Sequence, residues 1–159
     1  QLGIDATRFV VLGRSAGAQI AVASAYALRD PAVRGCVSFY GPQDLFFARR
    51  YAAESDVLDS FRLLRNYLGG DPDVVGENYA SASGYLLADA SSPPTLLLHG
   101  RLDTRAPLIM ASNVMVRLAG PAELAVFETA AHESLHRRDP ARWQEAVGPW
   151  LEKRTFTPK

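Results

Sequence analysis

Four short apolar runs alternate with stretches that read as helix, and this alternation restricts the chain to a layered architecture built on a parallel sheet. Phe9-Val10-Val11-Leu12 ends at Gly13, Val33 to Tyr40 ends at Gly41-Pro42, Pro94 to His99 meets Gly100, and Leu124 to Glu128 completes the set. The runs are nearly continuous in apolar residues, so each is expected to be a strand covered on both faces. Between them lie Ala16 to Leu28, rich in alanine and stopped by Asp30-Pro31, and Leu108 to Ala119, stopped by Gly120-Pro121. Asp139 caps a closing helix with Pro140 at its first position; Trp143, Val147, Trp150 and Leu151 recur at i, i+4, i+7 and i+8 along one face of it. The expected fold is α/β, doubly wound, with a mainly parallel sheet of about four strands.

The stretch from Gln43 to Ser92 interrupts the alternation. It carries helical pieces, notably Val57 to Leu68 ended by Gly69-Gly70-Asp71-Pro72, and no strand signal. A single domain over residues 1–159 with a helical cap inserted at 43–92 is therefore expected. The aromatics Phe46, Phe47, Tyr51, Phe61 and Tyr67 would bury that cap on the sheet or line an acyl or aryl pocket. A globular domain of this size removes roughly 70% of its unfolded-chain surface from water, so no disulfide or metal is needed to hold it. The lone cysteine, Cys36, lies in the second strand and reads as an inert core thiol. The tail from Thr155 to Lys159 is expected to fray.

Lys and Arg total 17 against 17 Asp and Glu, giving a formal net charge of +0 with no basic cluster, which argues against nucleic acid or an acidic membrane surface as main partner. No apolar run approaches the roughly 20 residues of a membrane span. The chain opens on Gln1 with no signal-peptide pattern, and is expected to be an excerpt or a processed product. The residues report no compartment.

The chemistry begins where the first strand runs into Gly13-Arg14-Ser15-Ala16-Gly17, a G-x-S-x-G pentapeptide. A serine between strand and helix sits on a strained turn that only small neighbours permit, and the helix aims its first amides at a developing oxyanion. Gly13 and Gly17 are both expected to be required by crowding. A serine hydroxyl needs a histidine to take its proton and a carboxylate to orient that histidine. Asp103 follows the third strand in His99-Gly100-Arg101-Leu102-Asp103, and His132 follows the fourth. All three candidates lie after the C-terminal ends of parallel strands, where open α/β sheets bind ligands, in the order Ser, Asp, His. Arg14 beside the serine reads as solvated or ion-paired, with a substrate-facing role as the alternative. His99 reads as satisfying backbone groups beneath the acid loop.

On these residues, with Phe39-Tyr40-Gly41-Pro42-Gln43-Asp44-Leu45 and Pro107, the chain resembles the C-terminal half of an α/β-hydrolase, in particular the hormone-sensitive-lipase-like and feruloyl/acetyl-esterase-like carboxylesterases. The resemblance spans almost the whole chain. It implies a serine carboxylesterase acting on short-chain or small aryl esters, with Ser15 as nucleophile, His132 as base and then acid, Asp103 as its orienter and the Ala16 amide as one oxyanion donor. It implies no cofactor and no metal, and a small-molecule ester as the ligand. Such enzymes carry a His-Gly-Gly type motif upstream that supplies further oxyanion amides, and this sequence has none. Each missing donor costs about 2.7–4 kcal/mol, so an upstream half is expected to be needed for full activity. A second copy, or that half, is expected to cover the open sheet edge. Glu133 departs from the glycine that relatives often carry after the histidine.

Two other readings compete. His132-Glu133-Ser134-Leu135-His136 spells H-E-x-x-H, a zinc-hydrolase pattern when it lies on a helix, with Glu145 or Glu152 as a conceivable third ligand. Pro140 starts a new helix too soon after His136 for that helix to form. The fold also tolerates loss of activity, leaving a non-catalytic interaction domain as the other alternative.

Overall fold

The four apolar runs form strands β1 (Phe9–Arg14), β2 (Val33–Phe39), β3 (Thr95–Gly100) and β4 (Ala122–Phe127), which pair in that order, every pair parallel. The computed structural model of the chain describes residues 5–52, 59–118, 120, 122–132, 134 and 140–155. Because the strand order advances in one direction, right-handed crossovers place the connecting helices on one face of the sheet. Helices α1 (Ala16–Leu28) and α6 (Ile109–Leu118) lie there, and Val22, Tyr26, Val114 and Leu118 meet Cys36 and Leu97 of the sheet in one core cluster.

The opposite face is left to the helix that follows β4. This is α7 (Pro140–Thr155), whose Val147 and Trp150 bury against Val37, Phe39, Leu96, Leu98 and Phe127, with Trp143 and Leu151 alongside. Burying side chains of this size contributes about 1.5–3 kcal/mol each, enough to carry the helix through Pro149, which removes one hydrogen bond from its interior. Pairing shifts between Phe9↔Val33 and Val10↔Gly35, so Val33 packs on the α1 side while Val37 and Phe39 face α7. A Cβ on Gly35 would stand 2.6 Å from the Trp150 ring.

Between β2 and β3 the chain forms α2 (Leu45–Tyr51), α3 (Ser60–Leu68), α4 (Pro72–Ala82) and α5 (Gly84–Leu87), with no strand among the described residues. The Asp44 carboxylate caps α2 by accepting the Phe47 N–H at 2.9 Å, and Gly69 ends α3 in the left-handed region at φ 86°. This insertion has its own small core of Leu45, Leu68 and Tyr79, with Phe46, Leu64 and Val75 packed on it. Phe46 therefore serves the insertion itself rather than its seating on the sheet. Val57 and Leu58, expected to begin the helix, and residues 156–159 of the expected frayed tail lie outside the described residues; Thr155 is the last residue of α7. Among the described residues no helix is long and apolar enough to cross a membrane.

Cys36 is a free, buried thiol whose pKa is pushed up to about 12 by burial. A disulfide reagent at neutral pH should leave it unmodified in the native state and titrate it only after unfolding; native labelling at an exposed-thiol rate would contradict the packing described.

Candidate active site

The site starts from a close approach of backbone to backbone. A Cβ at Gly13 would lie 2.1 Å from the Gly17 carbonyl oxygen, so the last residues of β1 can turn into α1 only over a glycine. Ser15 occupies that turn at φ 50° and ψ −123°, a conformation that a residue with a side chain rarely adopts. Two sets of backbone bonds hold it there: its N–H donates to the Phe39 carbonyl at 2.9 Å, and its own carbonyl accepts from Ala18 and Gln19 at 3.0 and 3.2 Å. Ala16 is the first residue of α1, where the backbone N–H has no acceptor within the helix. The expectation that Gly17 is required by crowding is corrected: a Cβ there meets nothing within 4 Å. The contact is made by the carbonyl of Gly17, not by its Cα face.

A buried amide anchors the first turn of α1 from below. Gln43 Nε2 donates to the Ala18 carbonyl at 3.2 Å and to Ser38 Oγ at 2.9 Å, and Gln19 Nε2 ties the helix to the Ala82 carbonyl at 2.6 Å. The sequence assigns neither glutamine this role, although Gln43 stands in the Phe39–Leu45 motif. The available signal was Gln19 itself, a polar residue between Ala18 and Ile20 in a mostly apolar helix.

Asp103 and His132 meet because two loops cross over the end of β3. The Arg101 N–H donates to the Phe127 carbonyl and the Leu102 N–H to the Ala130 carbonyl, both at 3.0 Å. A Cβ at Gly100 would stand 2.3 Å from that Ala130 oxygen, so glycine is what lets the loop after β4 lie this close. Asp103 Oδ1 accepts the N–H groups of Arg105 and Ala106 at 2.9 Å each, which leaves Oδ2 to face His132 Nδ1 at 2.7 Å. His132 Nε2 lies 2.8 Å from Ser15 Oγ, and its ring meets the Tyr40 ring edge-on with centroids 4.9 Å apart. An ionised carboxylate can only accept, so Nδ1 carries the imidazole proton and Nε2 is the acceptor for the serine hydroxyl.

Burial raises the Asp103 pKa, but the hydrogen bond from His132, then the nearby N–H of His99 and the hydrogen bond from the Ala106 amide, outweigh it and hold the carboxyl well below the usual carboxylate range. The folded protein thus binds this proton less readily than the unfolded chain. Stability from Asp103 is fully present above about pH 4, where the unfolded carboxyl is ionised, and is lost as pH falls below it. Acid unfolding of the parent protein should therefore steepen below about pH 4, and Asp103→Asn should flatten that dependence. Equal acid slopes for parent and variant would contradict it.

The other candidates lie apart from this relay. Arg14 is exposed and forms no ion pair among the described residues. Phe47 stacks on Tyr51 at 5.8 Å, Arg49 covers the Phe61 ring at 3.3 Å, and Tyr67 is 55% exposed. A cleft of about 550 Å³ is lined by Phe61, Arg62, Arg65, Asn66, Gly69 and Gly70, and none of Ser15, Asp103 and His132 borders it. Glu133 and His136 lie outside the described residues, while Glu145 and Glu152 are exposed on α7. Among the described residues no group of three or more His, Cys, Asp or Glu is placed to hold a metal ion.

A parallel sheet of this order, with a strained serine at the strand-to-helix turn, is the architecture of the α/β-hydrolase fold. The chain belongs to the BD-FAE family of α/β-hydrolase-type esterase domains, whose model matches residues 1–118. Solved structures share the fold at low identity. The Pyrococcus horikoshii acylaminoacyl peptidase is similar with a TM-score of 0.76 and 19% identity, over 98% of this chain and 25% of its own. A Mycobacterium tuberculosis puromycin-hydrolyzing peptidase reaches a TM-score of 0.84 at 22% identity, over 97% of this chain and 23% of its own. The acetyl ester-xyloside bifunctional hydrolase of Caldicellulosiruptor lactoaceticus gives 0.73 at 24% identity, over 99% of this chain and 60% of its own. The chain thus spans a quarter of the first of these proteins and three fifths of the last. No curated protein matches the sequence significantly.

Proposed function

We propose that this chain carries the nucleophile, base and acid of a serine carboxylesterase, and that the protein containing it cleaves short-chain or small aryl esters. The observation that supports this reading is the unbroken relay from Ser15 Oγ through His132, at 2.8 Å, to Asp103 Oδ2, at 2.7 Å. Ser15 Oγ attacks the ester carbonyl carbon while its proton passes to His132 Nε2. The carbonyl oxygen gains the negative charge, and the Ala16 N–H at the start of α1 is one donor to it. Protonated His132 then gives its proton to the departing alkoxide as the C–O bond breaks. Water attacks the acyl-serine with His132 again as base, releasing the acid and restoring Ser15. Throughout, Asp103 accepts from Nδ1–H and stabilises the imidazolium.

Membership of an esterase-type family supports ester rather than amide cleavage. The strained Ser15 backbone counts against the interaction-domain reading, since a binding surface gives no reason to hold a serine in that conformation. The zinc reading needs a His132 ring nitrogen free to coordinate, and both face hydrogen-bond partners. A serine-directed organophosphonate should label the full-length protein once, on Ser15, and Ser15→Ala should abolish labelling. Labelling that survives this substitution would remove Ser15 as nucleophile, and no labelling or ester turnover at all would favour the interaction-domain reading.

A further inference from the structure

A second imidazole reaches the Asp103 carboxylate from within the sheet. His99 lies on β3, is 1% exposed, and its Nε2 stands 2.6 Å from the Ala106 carbonyl oxygen and 3.5 Å from Asp103 Oδ2. A carbonyl only accepts, so His99 Nε2 carries the proton. The distance to Oδ2 is too long for a full hydrogen bond, which makes Ala106 the principal acceptor. Ala106 is also the residue whose N–H holds Asp103 Oδ1 at 2.9 Å. His99 therefore fixes the far end of the turn that grips one carboxylate oxygen, and presents its N–H edge to the other.

We propose that His99 is a positioning residue, which through the Asp103–Ala106 turn keeps Oδ2 aimed at His132 Nδ1. The proposal rests on the triad reading above. A buried histidine that merely filled space would be replaceable by an apolar side chain of similar size with no effect on the relay. One that orients the carboxylate would not, because the turn from Asp103 to Ala106 has no other side-chain donor described at the Ala106 carbonyl. The nearby His99 N–H also contributes to holding the Asp103 carboxyl low, in keeping with its position 3.5 Å from Oδ2.

The test compares His99→Leu, His99→Asn and His99→Gln in the full-length protein. It has two readouts: ester kinetics and the far-downfield proton resonance of His132 Nδ1–H hydrogen-bonded to Asp103. His99→Leu should weaken or abolish that resonance and lower kcat roughly 10- to 100-fold, with KM within about twofold. His99→Gln, whose amide N–H can reach the position of Nε2, should restore both. Should the leucine variant fail to fold, His99→Asn keeps a polar group in place but holds its amide short of Ala106, and should show the same losses. An unchanged resonance and kcat in the leucine or asparagine variant would overturn the positioning role. Ser15→Ala serves as the control for the underlying reading: turnover that survives it defeats the triad, and the resonance, which requires no turnover, still decides the role of His99.

Discussion

Ser15→Ala and His132→Ala in the full-length protein should each lower kcat for an ester substrate by about 10⁴- to 10⁶-fold, and combining them should cost little more. The members of such a relay act as a unit, so losing one forfeits most of what the set supplies. With Ser15 removed there is no atom to form the acyl intermediate; with His132 removed nothing 2.8 Å from the hydroxyl can take its proton. Asp103→Asn should cost about 10⁴-fold, because an amide at this position can favour the tautomer that places the imidazole proton on Nε2, where the acceptor is needed. Glu133→Gln and His136→Ala should change the rate by less than about tenfold, or ~1.4 kcal/mol, and a chelator should have no effect. The opposite pattern, with chelator-sensitive turnover that tolerates Ser15→Ala, would replace the serine reading by the zinc one.

Gly13→Ala should be among the most damaging changes to folding that the chain can suffer, with a loss of about 3 kcal/mol or more. The new methyl group would sit 2.1 Å from the Gly17 carbonyl oxygen, and the obstacle is backbone at the base of the strand-to-helix turn, which cannot swing aside as a side chain can. Relief requires moving the start of α1 and with it Ser15. Against a total stability of about 5–15 kcal/mol for a domain, that removes from a fifth to more than half of the margin. Gly17→Ala, four residues on, should stay within about 1 kcal/mol of the parent and tend toward a gain, since a Cβ there is unobstructed and alanine is the better helix former. Chemical denaturation of the two variants side by side gives the answer. Equal losses at both glycines would contradict the geometry of this turn.

In the sequence, His132 is the histidine nearest the end of the fourth apolar run, and Asp103 the carboxylate after the third. Both inferences drew on a short-range regularity: strands bounded by turns, with polar residues collected where they end. The stripe of Trp143, Val147, Trp150 and Leu151 was legible for the same reason, because helical periodicity is written in successive residues; Pro149 does not break the helix because the burial of Val147 and Trp150 on the sheet outweighs one lost bond. The pentapeptide around Ser15 announced a tight turn. It did not distinguish its two glycines, since which Cα faces the obstructing carbonyl depends on how β1 enters α1 in space.

Gly100, Gln43 and His99 looked like punctuation, a loop polar residue and a backbone brace, until the chain closed around them. Gly100 matters because the Ala130 carbonyl comes over it, Gln43 because its amide spans α1 and β2, and His99 because Ala106 folds back onto its ring. The helices of the insertion likewise carry aromatic residues whose use the sequence left open, and only packing shows Phe46 against Tyr79 at 5.4 Å, within a core separate from the sheet. Periodicity and turn chemistry are properties of neighbouring residues, so they gave the elements, their order and the chemical types at the strand ends. The meeting of Ser15 with His132 joins residues 117 positions apart, and such a contact is decided by the sum of many packing and hydrogen-bonding choices between elements, none of which is local enough to be read along the chain.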